Sequence, residues 1–173
     1  DNRFDNLKKI QNVFLHCYFN SKDTDLLFNK LISNEKTDFS RYNYFYARHL
    51  DNKGQKIEAR KIIKKALKKY PRNLILNQYE VNLELQKNFS DFNCSNKVEI
   101  VAELLYIAAN ALSSQSYFQT SNFYLNFSKY LNKNFYSFDT LLAENFYKIE
   151  DLESAKKTYQ KLRKNGNAFE WYS

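Results

Sequence analysis

Glycine and proline are nearly missing: 2 Gly and 1 Pro in 173 residues. Sandwiches and barrels turn often and tightly, and those turns need residues with special backbone angles, so an all-β fold is excluded. The same scarcity removes any glycine-rich loop able to approach a phosphate closely. Methionine is absent, and His16 and His49 are the only histidines. Cys17 and Cys94 lie far apart and show no metal or redox spacing, so both are expected as free thiols with no bond between them. There is no nucleophile elbow and no catalytic Cys–His signature. An enzyme is therefore not expected, nor a metal, a cofactor or a small-molecule substrate. No run of about 18 apolar residues occurs, which excludes a membrane-spanning helix. The chain begins at Asp1 without Met, so a natural N-terminus further upstream is expected.

What is present can build an ordered interior: 43% of residues are hydrophobic and 17% aromatic. Heavy use of Asn, Lys, Phe, Tyr and Ile is what an AT-rich genome produces, so the aromatic excess alone carries no functional signal. The net charge of +8 favours acidic partners, anionic membranes or nucleic acid. The length fits one domain, or one segment of a longer array, with no need of a second core.

Apolar residues recur at helical spacing almost everywhere. Helices are expected at about residues 5–18, 24–33, 40–53, 57–70, 74–86, 97–113, 117–131, 138–147 and 152–164. Gly54 and Pro71 mark helix stops, and the aperiodic stretch from Lys87 to Asn96 is the one clear loop. No segment alternates like a strand. The expected class is all-α, with about nine helices.

Residues 40–73 carry Ala47 on a first helix, Gly54 in the turn, Ala59, Ile63 and Ala66 on a second helix, and Pro71 after it. This series resembles the tetratricopeptide repeat, a motif of about 34 residues. Residues 102–135 fit the same template with Leu105, Ala109, Leu112, Ser121, Leu125 and Ser128. Residues 136–169 fit it with Leu142, Ala143, Phe146, Ala155 and Tyr159. Small residues belong where paired helices approach most closely, so Ala47 should face Ala59. Asn43 and Asp139 depart from the motif at a place often held by Trp or Leu, and Leu162 replaces a late small residue. Residues 1–39 read as a degenerate helix pair and 74–101 as a partial repeat plus loop. Residues 170–173 read as the start of a further helix. Glu103 to Ala109 and the Tyr- and Leu-rich helix after them add a weaker resemblance to large tetratricopeptide-containing proteins of alphaproteobacteria.

The resemblance implies an α-solenoid of antiparallel helix pairs wound as a right-handed superhelix. It implies a scaffold binding a protein or peptide along a concave face lined by first helices. Carried over by register, that face comprises Arg41, Tyr44, Phe45 and Arg48, then Tyr79 and Asn82. Glu103, Tyr106 and Asn110 follow, then Thr140, Glu144 and Tyr147. An Asn amide can pair with a peptide's donor and acceptor at once, and Tyr and Arg are frequent binding anchors. Arg41 and Arg48 could clamp a terminal carboxylate, which Glu103 and Glu144 would oppose. His49 lies beside this face. The alternative partner is RNA or an anionic membrane, met by the basic stripe of the Lys-rich helix at 57–70; the register puts that stripe on the convex side, where a solvated face is expected.

Overall fold

Every periodic segment of the sequence becomes a helix. The computed structural model describes residues 2–85, 91–164, 166 and 168, and helix is the only regular structure among them apart from turns. In chain order the helices are α1 (Asn2–Tyr18), α2 (Thr24–Ile32), α3 (Ser40–Asn52), α4 (Lys56–Lys69) and α5 (Leu74–Glu84). Then come α6 (Lys97–Ser113), α7 (Phe118–Leu131), α8 (Ser137–Lys148) and α9 (Leu152–Arg163). The expected helix start at 170–173 and the loop residues 87–90 lie outside the described residues.

A single array had no evident need of a second core, yet the chain divides into two compact units, Asp1–Lys97 and Val98–Ser173. The division follows the aperiodic stretch that ends at Asn96, where the succession of helix pairs is interrupted. In unit 1, α1 packs on α2, α2 on α3, and α3 and α4 on each other and on α5. Its interior is aromatic. The Phe45 ring centroid lies 5.3 Å from that of Phe14 and 4.5 Å from that of Phe92, while Phe28 stacks on Tyr46 at 5.1 Å. In unit 2, α8 packs on both α7 and α9. Asn145, fully buried on α8, donates to Ser121 Oγ and Asn122 Oδ1 of α7, each at 2.8 Å. Its Oδ1 accepts from Ser113 Oγ of α6 at 2.6 Å, so one amide ties three helices together.

One turn recurs. Asn20, Gly54, Ser116 and Glu150 all have positive φ, at 51°, 79°, 65° and 62°. After each, the next residue's N–H reaches back five positions to a carbonyl: Ser21 to His16, Gln55 to Leu50, Tyr117 to Leu112, and Asp151 to Phe146. These bonds close the C-termini of α1, α3, α6 and α8 as a Schellman-type cap does. Asn20 and Gly54 are 34 residues apart, and so are Ser116 and Glu150. A side chain pays for the left-handed conformation where glycine does not. Glu150→Gly should therefore raise the stability of unit 2 by about 1 kcal/mol, read as a higher urea midpoint with an unchanged slope.

Small residues on the paired helices are buried. Ala47, Ala109 and Ala143 are wholly buried, as are Ala59 and Ser121. Ser121 Oγ donates to the Ala109 carbonyl at 2.8 Å, which places α7 directly against α6 at that point. Ala109→Leu or Ala143→Leu should cost roughly 1–3 kcal/mol in urea unfolding, because extra methylenes force the backbones apart. Lys65→Leu, on an exposed face, should stay within about 0.5 kcal/mol of the parent. Of the three motif departures, Leu162 is a buried apolar residue and the other two are accommodated as polar interior contacts. Asp139 is buried and ion-paired with Lys129, and Asn43 donates to the Ser40 carbonyl at 2.9 Å.

Candidate functional site

Equivalent first-helix positions have different fates in the two units. Arg48 of α3, Asn110 of α6 and Glu144 of α8 share one register place. Asn110 and Glu144 are exposed, whereas Arg48 is 3% exposed. Residues that follow α5 in the sequence explain the difference. Asp91 places Oδ1 3.1 Å from Arg48 Nε, and Phe92, itself buried, packs against Phe14 and Phe45. The other side of the guanidinium is taken within α3 and α5: Nη1 meets Asp51 Oδ2 at 2.9 Å, and the Tyr79 hydroxyl donates to the same oxygen at 3.2 Å.

Five residues assigned to an open face, Tyr44, Phe45, Arg48, Tyr79 and Asn82, are therefore interior residues of unit 1. This corrects the register's placement of them at an accessible groove. Phe45 is held by its aromatic neighbours, and Asn82 Oδ1 accepts from Gln78 Nε2 at 2.7 Å. Arg41 is half-buried with its guanidinium 5.5 Å from the Phe45 ring centre. Burial pushes the Tyr44 and Tyr79 hydroxyls above their ordinary range, so both stay protonated. Burial also pushes the Asp91 carboxyl up, and Arg48 pulls it back.

Unit 2 keeps part of its share of the face accessible, with Glu103 lost to the interior as well. Asn110, Glu144 and Tyr147 are exposed, the last at 60%, and Thr140 is half-buried. Tyr106 leans on Phe138 with ring centroids 5.5 Å apart, while Glu103 is wholly buried. Along α7 a second surface appears that the register did not single out. Phe123, Phe127 and Tyr130 stand exposed at helical spacing, with the two Phe rings 5.0 Å apart. The basic residues of α4, from Arg60 to Lys69, are exposed around the buried stripe of Ala59, Ile63 and Ala66.

The expectation of free cysteines is overturned: Cys17 and Cys94 are bonded, with Cα atoms 5.8 Å apart. Sequence distance misled, because Phe92 draws residues 91–94 onto α1 and α3, and Cys94 arrives beside Cys17. His49 of α3 completes the cluster. Its Nδ1 lies 3.1 Å from Cys17 Sγ and 3.8 Å from Cys94 Sγ. Its Nε2 lies 3.0 Å from Asp25 Oδ1 of α2, and Lys53 Nζ holds the other Asp25 oxygen at 3.3 Å. Burial lowers the His49 pKa, with Asp25 opposing, so the ring is neutral at pH 7. No spacing in the sequence signals this group, since its members come from three separate segments.

No family model matches the chain, and no curated protein or solved structure is similar to it.

Proposed function

We propose that the chain is a non-catalytic interaction scaffold of the tetratricopeptide type, binding a protein or peptide segment along its first-helix face. The observation that carries this reading is the exposure of Asn110, Glu144 and Tyr147 on successive first helices of unit 2. An amide, a carboxylate and a tyrosine spaced along two neighbouring helices suit an extended peptide. The amide pairs with the peptide's backbone, the carboxylate with a basic side chain, and the ring supplies apolar contact. The 34-residue recurrence of the helix-closing turn supports the repeat assignment, and it includes α1 and α2, which carry little of the sequence motif. A solenoid of such pairs is the architecture this spacing favours.

Asn110→Ala removes a donor and an acceptor without touching the interior. Its effect should appear in binding, at roughly 1–3 kcal/mol, and leave folding unchanged. Capture from the source lysate at about 50 and about 300 mM salt, by wild type, Asn110→Ala and the double variant Lys61→Ala/Lys68→Ala, provides the test. Loss of capture with Asn110→Ala, at both salt concentrations, is the expected result. The exposed basic face of α4 favours a second reading, contact with RNA or an anionic membrane. Capture that vanishes in the Lys variant and at high salt, with Asn110→Ala inert, would replace the first reading by the second.

A further inference from the structure

We propose that, when the Cys17–Cys94 bond is reduced, the two thiolates and Nδ1 of His49 form a binding site for a zinc-class divalent metal ion. The three ligand atoms lie within 4.8 Å of one another, and all three residues are buried. Zinc holds sulfur at about 2.3 Å and imidazole nitrogen at about 2.0 Å in a tetrahedron, which sets an N···S edge of roughly 3.5 Å. The two N···S distances here, 3.1 and 3.8 Å, bracket that edge.

The second ring nitrogen carries the argument further. Nε2 faces Asp25 Oδ1 at 3.0 Å, so the ring proton belongs on Nε2 and the Nδ1 lone pair points at the sulfurs. A carboxylate on the far nitrogen is the usual outer support of a metal-binding imidazole, because it fixes both tautomer and ring angle. Lys53, 3.3 Å from the other oxygen, fixes the carboxylate in turn. Phe28, whose ring centroid is 5.8 Å from that of His49, adds an apolar wall. Two thiolates, one neutral imidazole and a divalent cation sum to zero charge, which suits an interior where net charge is costly.

The chemistry balances with a phosphine or dithiol as reductant. Two electrons and two protons break the S–S bond and leave two thiols: a phosphine gives the electrons and becomes its oxide with oxygen from water, which also supplies the protons, or a dithiol gives both and becomes a disulfide. Metal uptake then breaks two S–H bonds, forms two metal–sulfur bonds and releases two protons to the buffer. A fourth coordination place is left for water. The sulfurs must part to roughly 3.8 Å, the S···S edge of the same tetrahedron. Cys17 and His49 are fixed on helices, but Cys94 sits in a short turn closed by Asn96 N–H on the Asn93 carbonyl, so the adjustment falls on that turn. Disulfide and metal use the same sulfurs and exclude each other.

The test uses the whole chain, reduced with a phosphine under nitrogen and titrated with Co²⁺ as a spectroscopic probe. One equivalent should bind, with a thiolate-to-cobalt charge-transfer band and the strong visible bands of four-coordinate cobalt. Zn²⁺ should bleach both bands by displacing the cobalt and, added instead to the reduced metal-free chain, should release two protons per ion. The unreduced protein should show neither band. Cys17→Ser and Cys94→Ser should each lose intensity in the charge-transfer band, and His16→Gln should match wild type. Asp25→Asn contacts no metal and should keep its helical circular dichroism, yet bind roughly 10–100-fold more weakly. Reduced protein that stays helical and develops no charge-transfer band overturns the proposal. So does reduced protein that unfolds and is not restored by Zn²⁺, and so does a band that survives in the double Cys variant.

Discussion

Arg48→Ala should destabilise unit 1 by about 3–5 kcal/mol, the loss expected when one partner of a buried ion pair is removed. The arginine side chain is 4% exposed and Asp91 18%, so neither charge has ready access to water. Deleting the guanidinium leaves the Asp91 carboxylate, Asp51 Oδ2 and the Tyr79 hydroxyl around an empty space. The loss belongs to the unpaired groups, not to the pair itself. Arg48→Met combined with Asp91→Leu should therefore cost less than Arg48→Ala alone, since only Asp51, which keeps its bond from the Tyr79 hydroxyl, then lacks its cation. Hydrogen exchange over the α3 and α5 amides, followed by mass spectrometry, reads this unit separately from the other. If Arg48→Ala leaves those amides as protected as in wild type, the cluster contributes nothing to folding.

Reduction of Cys17–Cys94 is the second large effect. The bond closes a loop with a sequence separation of 77. Chain-entropy arithmetic for such a loop gives roughly 4.5 kcal/mol of stabilisation at 25 °C. Cys17→Ser, or phosphine-treated wild type without added metal, should show that loss in unit 1 and leave the amides of α7 to α9 unchanged. Alkylation without reductant, followed by mass spectrometry, should find the monomer two hydrogens lighter than the dithiol form and unlabelled. Two alkyl groups per chain would contradict the bond.

The helices were legible because one signal repeats: an apolar stripe at helical period, as in Ala59, Ile63 and Ala66 between lysines. The burial of Ala47, Ala109 and Ala143 was legible too, from small side chains recurring at the same place in each helix pair. The turns were less so. Only Gly54 announces its left-handed conformation; Asn20, Ser116 and Glu150 adopt it because the hydrogen bonds around them demand it. Register places Arg48, Asn110 and Glu144 together, but register cannot say what covers each one. The residues after α5 covered the first, through a ring and a carboxylate in a stretch with no period. The Cys–His–Cys group escaped for a related reason. Positions 17, 49 and 94 meet only after α1, α3 and the turn before α6 have packed, and no local spacing encodes that meeting.

The Cys17–Cys94 bond also sets the mechanics of the chain. A pull applied at its two ends travels from Cys17 to Cys94 through a single covalent crosslink, and α2 to α5 carry none of the load. Stretching would then release only the residues outside the loop. An oxidised molecule extended to its limit should be shorter than a reduced one by roughly 260 Å, the contour of the 77-residue separation at about 3.4 Å per residue. Single-molecule force extension with and without reductant would display that difference as a change in the final length. Oxidation thus sets how far the chain can extend under load.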